Sequence, residues 1–206
     1  MRWGFLLTYF WLLQPVFALV GVDGAGPSPF WRVKPDLYQR VVQNREIFVS
    51  VKRLSDNHQW RFSGGGHVKA DLQTSWNVAR QYEQLARLDW FFRTVSFDKP
   101  SSRLALDIRF LGFSRNLLVV IKEQQELPSI RSLSFRVEQG FFKGLRGHLN
   151  FSSYSKETTE IGFEGDYSGE VNLASFLFIP GCEAVMSYVA KEMRRIIEEK
   201  RAALVH

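Results

Sequence analysis

The chain contains one cysteine, Cys182, among its 206 residues. This count excludes an intramolecular disulfide and a cysteine-based metal site. No two of the four histidines stand at the His-x-x-x-His spacing of metal ligands, so we expect no bound metal and no other cofactor. The Gly-x-Ser-x-Gly and His-Glu-x-x-His motifs are also absent from the sequence. The sequence therefore offers no candidate catalytic residue.

Long runs of one charge sign are missing as well. The 27 basic and 21 acidic residues are interspersed, and the formal net charge is +6. A protein that follows a phosphate backbone usually concentrates its Lys and Arg on one stretch or face, so nucleic acid is not expected as a partner. The mildly basic balance leaves transient contact with an anionic membrane surface open as an alternative to a simple solvated surface.

The one long apolar run lies at the N-terminus. Trp3–Leu13 has the length of a signal-peptide core, and Val16-Phe17-Ala18 fits a signal-peptidase site. We predict cleavage after Ala18, with Gly21 as second choice, and therefore export. The low cysteine count favours a bacterial periplasm over a disulfide-rich extracellular setting. An uncleaved membrane anchor over Trp3–Val22 is the alternative.

The remaining sequence is long enough for one sizeable core. We divide the chain into residues 1–18 as signal peptide, residues 19–45 as a linker with a short N-terminal segment, and residues 46–206 as one domain. The linker is rich in Gly, Pro and Ser, and its last part, Asp36–Asn44, has the spacing of a short helix.

Aromatic residues are abundant, with 18 Phe and 6 Trp, and alternation typical of strands dominates the middle of the chain. In Arg103–Leu111, apolar residues alternate with charged ones, as in a strand with one buried face. Short turns between such segments predict an antiparallel meander. Gly64-Gly65-Gly66 lacks the Lys-Ser/Thr of a phosphate loop and is predicted to be a bulge or hinge. The predicted strands are Glu46–Leu54, Gln59–Ser63, His67–Asp71, Trp90–Phe97, Arg103–Leu111, Asn116–Glu123, Ile130–Glu138, Leu145–Tyr154 and Glu160–Val171.

Two segments have helical periodicity. Thr74–Leu88 follows a predicted edge strand directly, carries one apolar face, and begins with Thr74 or Ser75 as its cap. Pro180–Arg201 carries a longer apolar stripe, with Pro180 in the first turn and Arg194 among the polar residues behind the stripe. A sheet with one apolar face must be covered, and this C-terminal helix is the candidate cover.

These segments also carry a resemblance to a known family. His67-Val68-Lys69-Ala70 leads into a helix with Trp76 and Tyr82, and Ile179-Pro180-Gly181 precedes Val185 and Met186 at helical spacing. In this order the chain from Glu46 to Arg201 resembles the START-like or SRPBCC superfamily, which includes polyketide cyclase/dehydrase and coenzyme Q-binding proteins. The resemblance implies an α+β helix-grip fold, in which a curved antiparallel sheet wraps around a long C-terminal helix.

The same resemblance implies a cavity between sheet and helix, and we predict non-catalytic binding or transport of a hydrophobic small molecule or lipid, such as a quinone. A cyclase-like or hydrolase-like enzyme would need an acid and a base inside the cavity. The candidate groups Asp107, His148, Glu164 and Asp166 fall on the outward face of their strands. The predicted ligand-binding residues are Trp76, Tyr82, Leu106, Ile108, Phe110, Leu133, Phe135, Phe151, Phe163, Met186, Val189 and Met193.

A third alternative is an envelope-associated interaction module whose cavity is filled by its own side chains. Under this hypothesis Phe141-Phe142 and the run Phe176–Ile179 would be exposed loops that contact a membrane. Their ordinary interpretation is that they belong to the core of a strand end and of a helix start.

Overall fold

The computed structural model describes residues 34–54, 58–88, 91–110, 113–171 and 175–205, and it omits the side chains of 110, 113, 125–127, 175, 176 and 205. The predicted signal peptide and most of the predicted linker lie outside these residues. The elements are, in chain order, α1 (Pro35–Asn44), β1 (Phe48–Arg53), β2 (Gln59–Val68), α2 (Leu72–Ala79), a 3₁₀ helix (Tyr82–Arg87), β3 (Phe92–Asp98), β4 (Arg103–Phe110), β5 (Phe113–Leu127), β6 (Ile130–Gln139), β7 (Arg146–Ser155), β8 (Thr158–Ser168) and α3 (Ser175–Val205).

The strands form one antiparallel sheet in the order β1-β2-β8-β7-β6-β5-β4-β3. Their alternation turns apolar side chains toward α3, and Leu106, Leu133 and Phe151 are buried on this inner face. The α+β fold with an antiparallel sheet and a long C-terminal helix is therefore confirmed. It follows from the period of two in the sequence, because such strands can bury only one face.

The glycine run does not form the predicted bulge or hinge. Gly64, Gly65 and Gly66 lie inside β2, and the pairing with β1 and β8 runs through them without a shift of register. The strand before α2 is β2, and it is not an edge strand, because it lies between β1 and β8. Since glycine contributes no side chain, the run removes bulk from the sheet without breaking it.

The two longer predicted helices differ from expectation in their caps and bounds. Asp71, not Thr74 or Ser75, caps α2, because its side chain accepts a hydrogen bond from the Thr74 amide at 2.9 Å. α2 ends at Ala79, and the rest of the predicted helix is the separate 3₁₀ helix. α3 starts at Ser175 and holds Pro180 inside it, so the proline does not mark its first turn.

A buried hydrogen-bond chain attaches α2 to the start of β8. The Ser75 hydroxyl donates to the Thr159 hydroxyl at 3.1 Å, and Thr159 donates to the carbonyl oxygen of Ala70 at 2.8 Å. All three residues are fully buried. Satisfying these polar groups internally fixes the position of α2 against the first residues of β8.

The polar pattern of the outer face indicated that this face is exposed to water, but part of it is buried. His67 and Glu160 lie opposite each other on β2 and β8, and both are buried. The His67 ring lies 4.4 Å from that of Tyr154 and 6.5 Å from that of Tyr38 in α1, between ring centroids. These aromatic rings shield the His67–Glu160 pair from water. The alternation within a single strand could not indicate this burial, because the rings belong to other elements.

Candidate functional site

A cavity of about 440 Å³ lies between the inner face of the sheet and α3. Its helical wall repeats every three to four residues along α3, so that one stripe faces the void. The apolar residues of this wall are Val185, Met186, Val189, Ala190, Met193 and Ile197. The cavity is therefore not filled by the protein's own side chains.

The opposite wall comes from the inner face of the central strands. Phe135 of β6 and Phe163 of β8 lie nearly parallel there, with ring centroids 5.9 Å apart. Tyr82 of the 3₁₀ helix closes the end near β3 and β4. The residues predicted to bind ligand that the structure places on the sheet wall are Leu106, Leu133, Phe135, Phe151 and Phe163.

The other predicted positions lie elsewhere. Trp76 packs in the core behind the cavity wall, with its ring centroid 5.5 Å from that of Phe151 in an edge-to-face arrangement. Ile108 belongs to the same core. Both are neighbours of wall residues and are not themselves on the wall. The side chain of Phe110 lies outside the described residues.

Sequence reasoning missed the contribution of β1 and β2 to the cavity. Gly64 pairs with Val49, and both line the void together with Gly66 and Ile47. A Cβ on Gly66 would lie 3.2 Å from Cγ1 of Ile47. Two inner positions without side chains therefore leave room where larger residues would fill it. The glycine run could have indicated this room, because a strand with three successive glycines has at least one position without a side chain on each face.

A polar group adjoins the apolar wall at Tyr82. Its hydroxyl donates to Oε1 of Glu123 at 3.3 Å, and Glu123 forms an ion pair with Arg80 at 2.8 Å. Burial, and then the Glu123 charge, raise the pKa of Tyr82 well above its usual value. The phenol therefore stays neutral at physiological pH and can only exchange hydrogen bonds.

Arg194 is a second polar feature of the cavity wall, and its position differs from the one expected from the sequence. Instead of lying behind the apolar stripe, it is half-buried on the cavity wall, four residues after Ala190. Its Nη1 donates to the carbonyl oxygen of Arg45 at 2.5 Å. The helical period could have shown this position, because 186, 190 and 194 lie on one side of α3.

The groups considered for catalysis are arranged on the outer face. Asp107 accepts a hydrogen bond from the Ser114 hydroxyl, and Asp166 forms an ion pair with Arg61 at 3.0 Å. Burial raises the pKa of Glu164, which lies opposite His148 in the pairing of β7 with β8. Within the described ranges, no group of three His, Cys, Asp or Glu residues could hold a metal ion.

The segments considered for membrane contact are only partly exposed. Phe142 packs against Phe62, Tyr167 and Phe178, whereas Phe141 is 42% exposed. Leu177, in the first turn of α3, is 56% exposed. Among the described helices, none has the length and apolar character needed to cross a membrane.

No protein-family model and no curated protein matches the sequence. Solved structures do match. A STAR-related lipid transfer protein from Xanthomonas axonopodis aligns with 73% of this chain and 93% of its own, at 12% identity and a TM-score of 0.61. A START superfamily protein from Mycobacterium smegmatis aligns with 70% of this chain and 98% of its own, at 13% identity and a TM-score of 0.52.

A norcoclaurine synthase from Thalictrum flavum, solved as a point mutant with a transition-state analogue, is similar as well. It aligns with 74% of this chain and 99% of its own, at 11% identity and a TM-score of 0.51. A lipid transfer protein and an enzyme thus share the architecture, and at these identities the likeness concerns the fold alone. The curved eight-stranded sheet, the long C-terminal helix and the likeness to these solved structures establish that the chain has the START-like helix-grip fold.

Proposed function

We propose that the protein binds a hydrophobic small molecule or lipid in the cavity between the sheet and α3, without transforming it. The observation that carries this proposal is the cavity itself, about 440 Å³ in volume and lined mainly by aliphatic and aromatic side chains. Pockets for small molecules usually measure about 300–1,000 Å³ and are predominantly apolar. The likeness to a lipid transfer protein supports the proposal at the level of the fold.

Apolar burial alone supplies enough free energy for such binding. A ligand tail that loses roughly 200 Å² of apolar surface to the cavity gains about 5 kcal/mol, at about 25 cal/mol per Å². Met186 and Met193 lie on the wall, and their unbranched side chains can adapt to tails of different shape. The cavity thus fits a single tail or a small ring system better than a rigid polar substrate.

The enzyme alternative gains no support from the described wall. The ionisable residues of the cavity wall are Tyr82, Arg194 and His67. The side chain of His67 lies on the outer face of the sheet, where it is buried beside Glu160. General acid–base catalysis needs two groups that exchange protons with a bound substrate near neutral pH. Tyr82 is held neutral and Arg194 stays charged, so neither serves as a base there.

Binding can be measured with N-phenyl-1-naphthylamine, a neutral dye that fluoresces in apolar surroundings. After delipidation, we expect saturable enhancement of its emission and displacement by methyl dodecanoate, a neutral single-chain ligand. Native mass spectrometry should show one adduct per chain. A folded protein that neither enhances the dye nor forms an adduct with the ester would contradict the proposed function.

We further propose that the chain is exported and meets a membrane surface when it exchanges ligand. The sequence Trp3–Leu13 supports export, and the exposed side chains of Phe141 and Leu177 support surface contact. Expressed in a bacterial host, the protein should accumulate in the periplasm with an intact mass lacking residues 1–18. Retention of the whole N-terminus in the cytoplasmic fraction would rule out the export proposal.

A further inference from the structure

Two arginines and one carboxylate meet between the C-terminal end of α1 and α3, and one of the arginines, Arg194, lines the cavity. Arg45 forms an ion pair through Nη2 with Oε1 of Glu198, and the same oxygen accepts the Lys69 amide at 2.9 Å. Arg194 donates to the carbonyl oxygen of Arg45 and also lines the void. We infer that Arg194 binds the acidic head group of a single-chain carboxylic acid whose tail occupies the cavity. This inference rests on the proposed function.

The first argument is the unused hydrogen-bonding capacity of this cluster. A guanidinium has five N–H donors, and within the described part of the chain Arg194 uses one of them, toward Arg45. The Nε of Arg45 is buried and has no acceptor among the described residues. A buried donor without an acceptor is costly. Because Arg194 lines the cavity and keeps unused donors, an acceptor in the void beside it would be bound favourably.

The second argument is charge. Arg45 and Arg194 carry two positive charges, and Glu198 supplies one negative charge that is already engaged by Arg45 and the Lys69 amide. The cluster therefore has an excess of one positive charge beside an apolar void. Burial, followed by repulsion from Arg45, lowers the pKa of Arg194, while Glu198 opposes this effect. One monoanion would neutralise the excess and reduce the repulsion.

The chemistry of the site favours a carboxylate on a single chain. A planar carboxylate can accept two parallel hydrogen bonds from one guanidinium, which a neutral ester or alcohol cannot do with comparable strength. The void beyond Arg194 is apolar, and its volume is near the lower end of the range that is usual for ligand pockets. A ligand whose head group is bound at Arg194 would thus place its tail along Ala190 and Met186 of the same helix.

A purely structural role of Arg194 is the competing explanation, because its bond to Arg45 joins α3 to the end of α1. Arg194→Gln separates the two roles. Glutamine keeps an amide N–H donor on this side of α3 but carries no charge. The matched control is Arg195→Gln, because Arg195 is exposed, pairs with Glu192 and Glu199, and does not line the cavity.

The test compares dodecanoic acid with its methyl ester as competitors of N-phenyl-1-naphthylamine, using the delipidated protein at neutral pH. We expect the wild-type protein to bind the acid about tenfold more tightly than the ester, the size expected for a charge-assisted hydrogen bond. Arg194→Gln should abolish this preference, because it should weaken the binding of the acid far more than the binding of the ester. Arg195→Gln should keep the preference.

The possible outcomes separate this inference from the proposed function. Equal affinities for acid and ester in the wild-type protein, or a preserved preference in Arg194→Gln, would overturn the role of Arg194 while ester binding upholds the cavity. Failure of both ligands to displace or replace the dye, with no adduct, would overturn both proposals. A preference lost equally in Arg195→Gln would show a general effect of surface charge and would also overturn the inference.

Discussion

Replacing Ala190 by tryptophan is expected to lower the affinity for a neutral ligand at least about 100-fold. Ala190 lies on the α3 wall of the cavity, and its methyl group is small enough to leave the void open. An indole at this position would occupy part of the 440 Å³ volume. A 100-fold loss corresponds to about 2.7 kcal/mol, which is less than the gain estimated above for burying a tail. The measurement is competition by methyl dodecanoate against the bound dye.

The stability of Ala190→Trp gives this prediction a second readout. Added volume in a well-packed core typically costs about 1–3 kcal/mol, but here the ring has an existing void to enter. We expect the free energy of unfolding, from a urea titration, to stay within about 1 kcal/mol of the wild-type value. A variant that loses binding only because it is unfolded would be recognised by this measurement.

Ala184→Trp is the matched control, because Ala184 is exposed on the same helix and does not line the cavity. It adds an identical side chain outside the site and should bind the ester as the wild-type protein does. If Ala190→Trp also bound the ester with unchanged affinity, the ligand would have to lie elsewhere, and the cavity could not be the binding site.

The inner face of the sheet could be predicted from the sequence, whereas the extent of the cavity could not. Leu106, Leu133 and Phe135 alternate with polar neighbours, and this local pattern determines which face each strand buries. Whether an inner residue touches the void or packs behind it depends on neighbours that are distant in sequence. Trp76 illustrates this, since contact with Phe151 places it in the core next to the wall.

The glycines and Arg194 show a different limit of sequence reasoning. Three glycines can make a bulge, a hinge or a bare strand, and only the partners on both sides of β2 distinguish these cases. Arg194 has a polar side chain, so hydrophobic periodicity assigns it to the solvent side. Its position follows from β1 and α1, which bring Arg45 against α3. The polar part of the site thus depends on a segment that precedes the predicted domain core.

Replacing Ile196 by alanine is expected to destabilise the fold by about 2–5 kcal/mol, the usual range for truncating a fully buried aliphatic side chain. Ile196 is completely buried and packs with Val68, Val78 and Ile197, so that it joins α3 to both α2 and β2. Small domains have a total stability of about 5–15 kcal/mol. The loss is therefore a large fraction of the total, and urea-induced unfolding should show it as a lower midpoint with an unchanged slope.

Two variants on α3 calibrate this effect. Ile196→Val removes one methylene group and should cost about 0.5–1.5 kcal/mol. Leu204→Ala, at a side chain that is 76% exposed, should change the free energy of unfolding by less than about 0.5 kcal/mol. If Ile196→Ala were no more harmful than Leu204→Ala, the C-terminal part of α3 would not be held against α2 and β2. The sheet would then lack its cover at this end, and a cavity that depends on α3 for one wall could not retain a ligand.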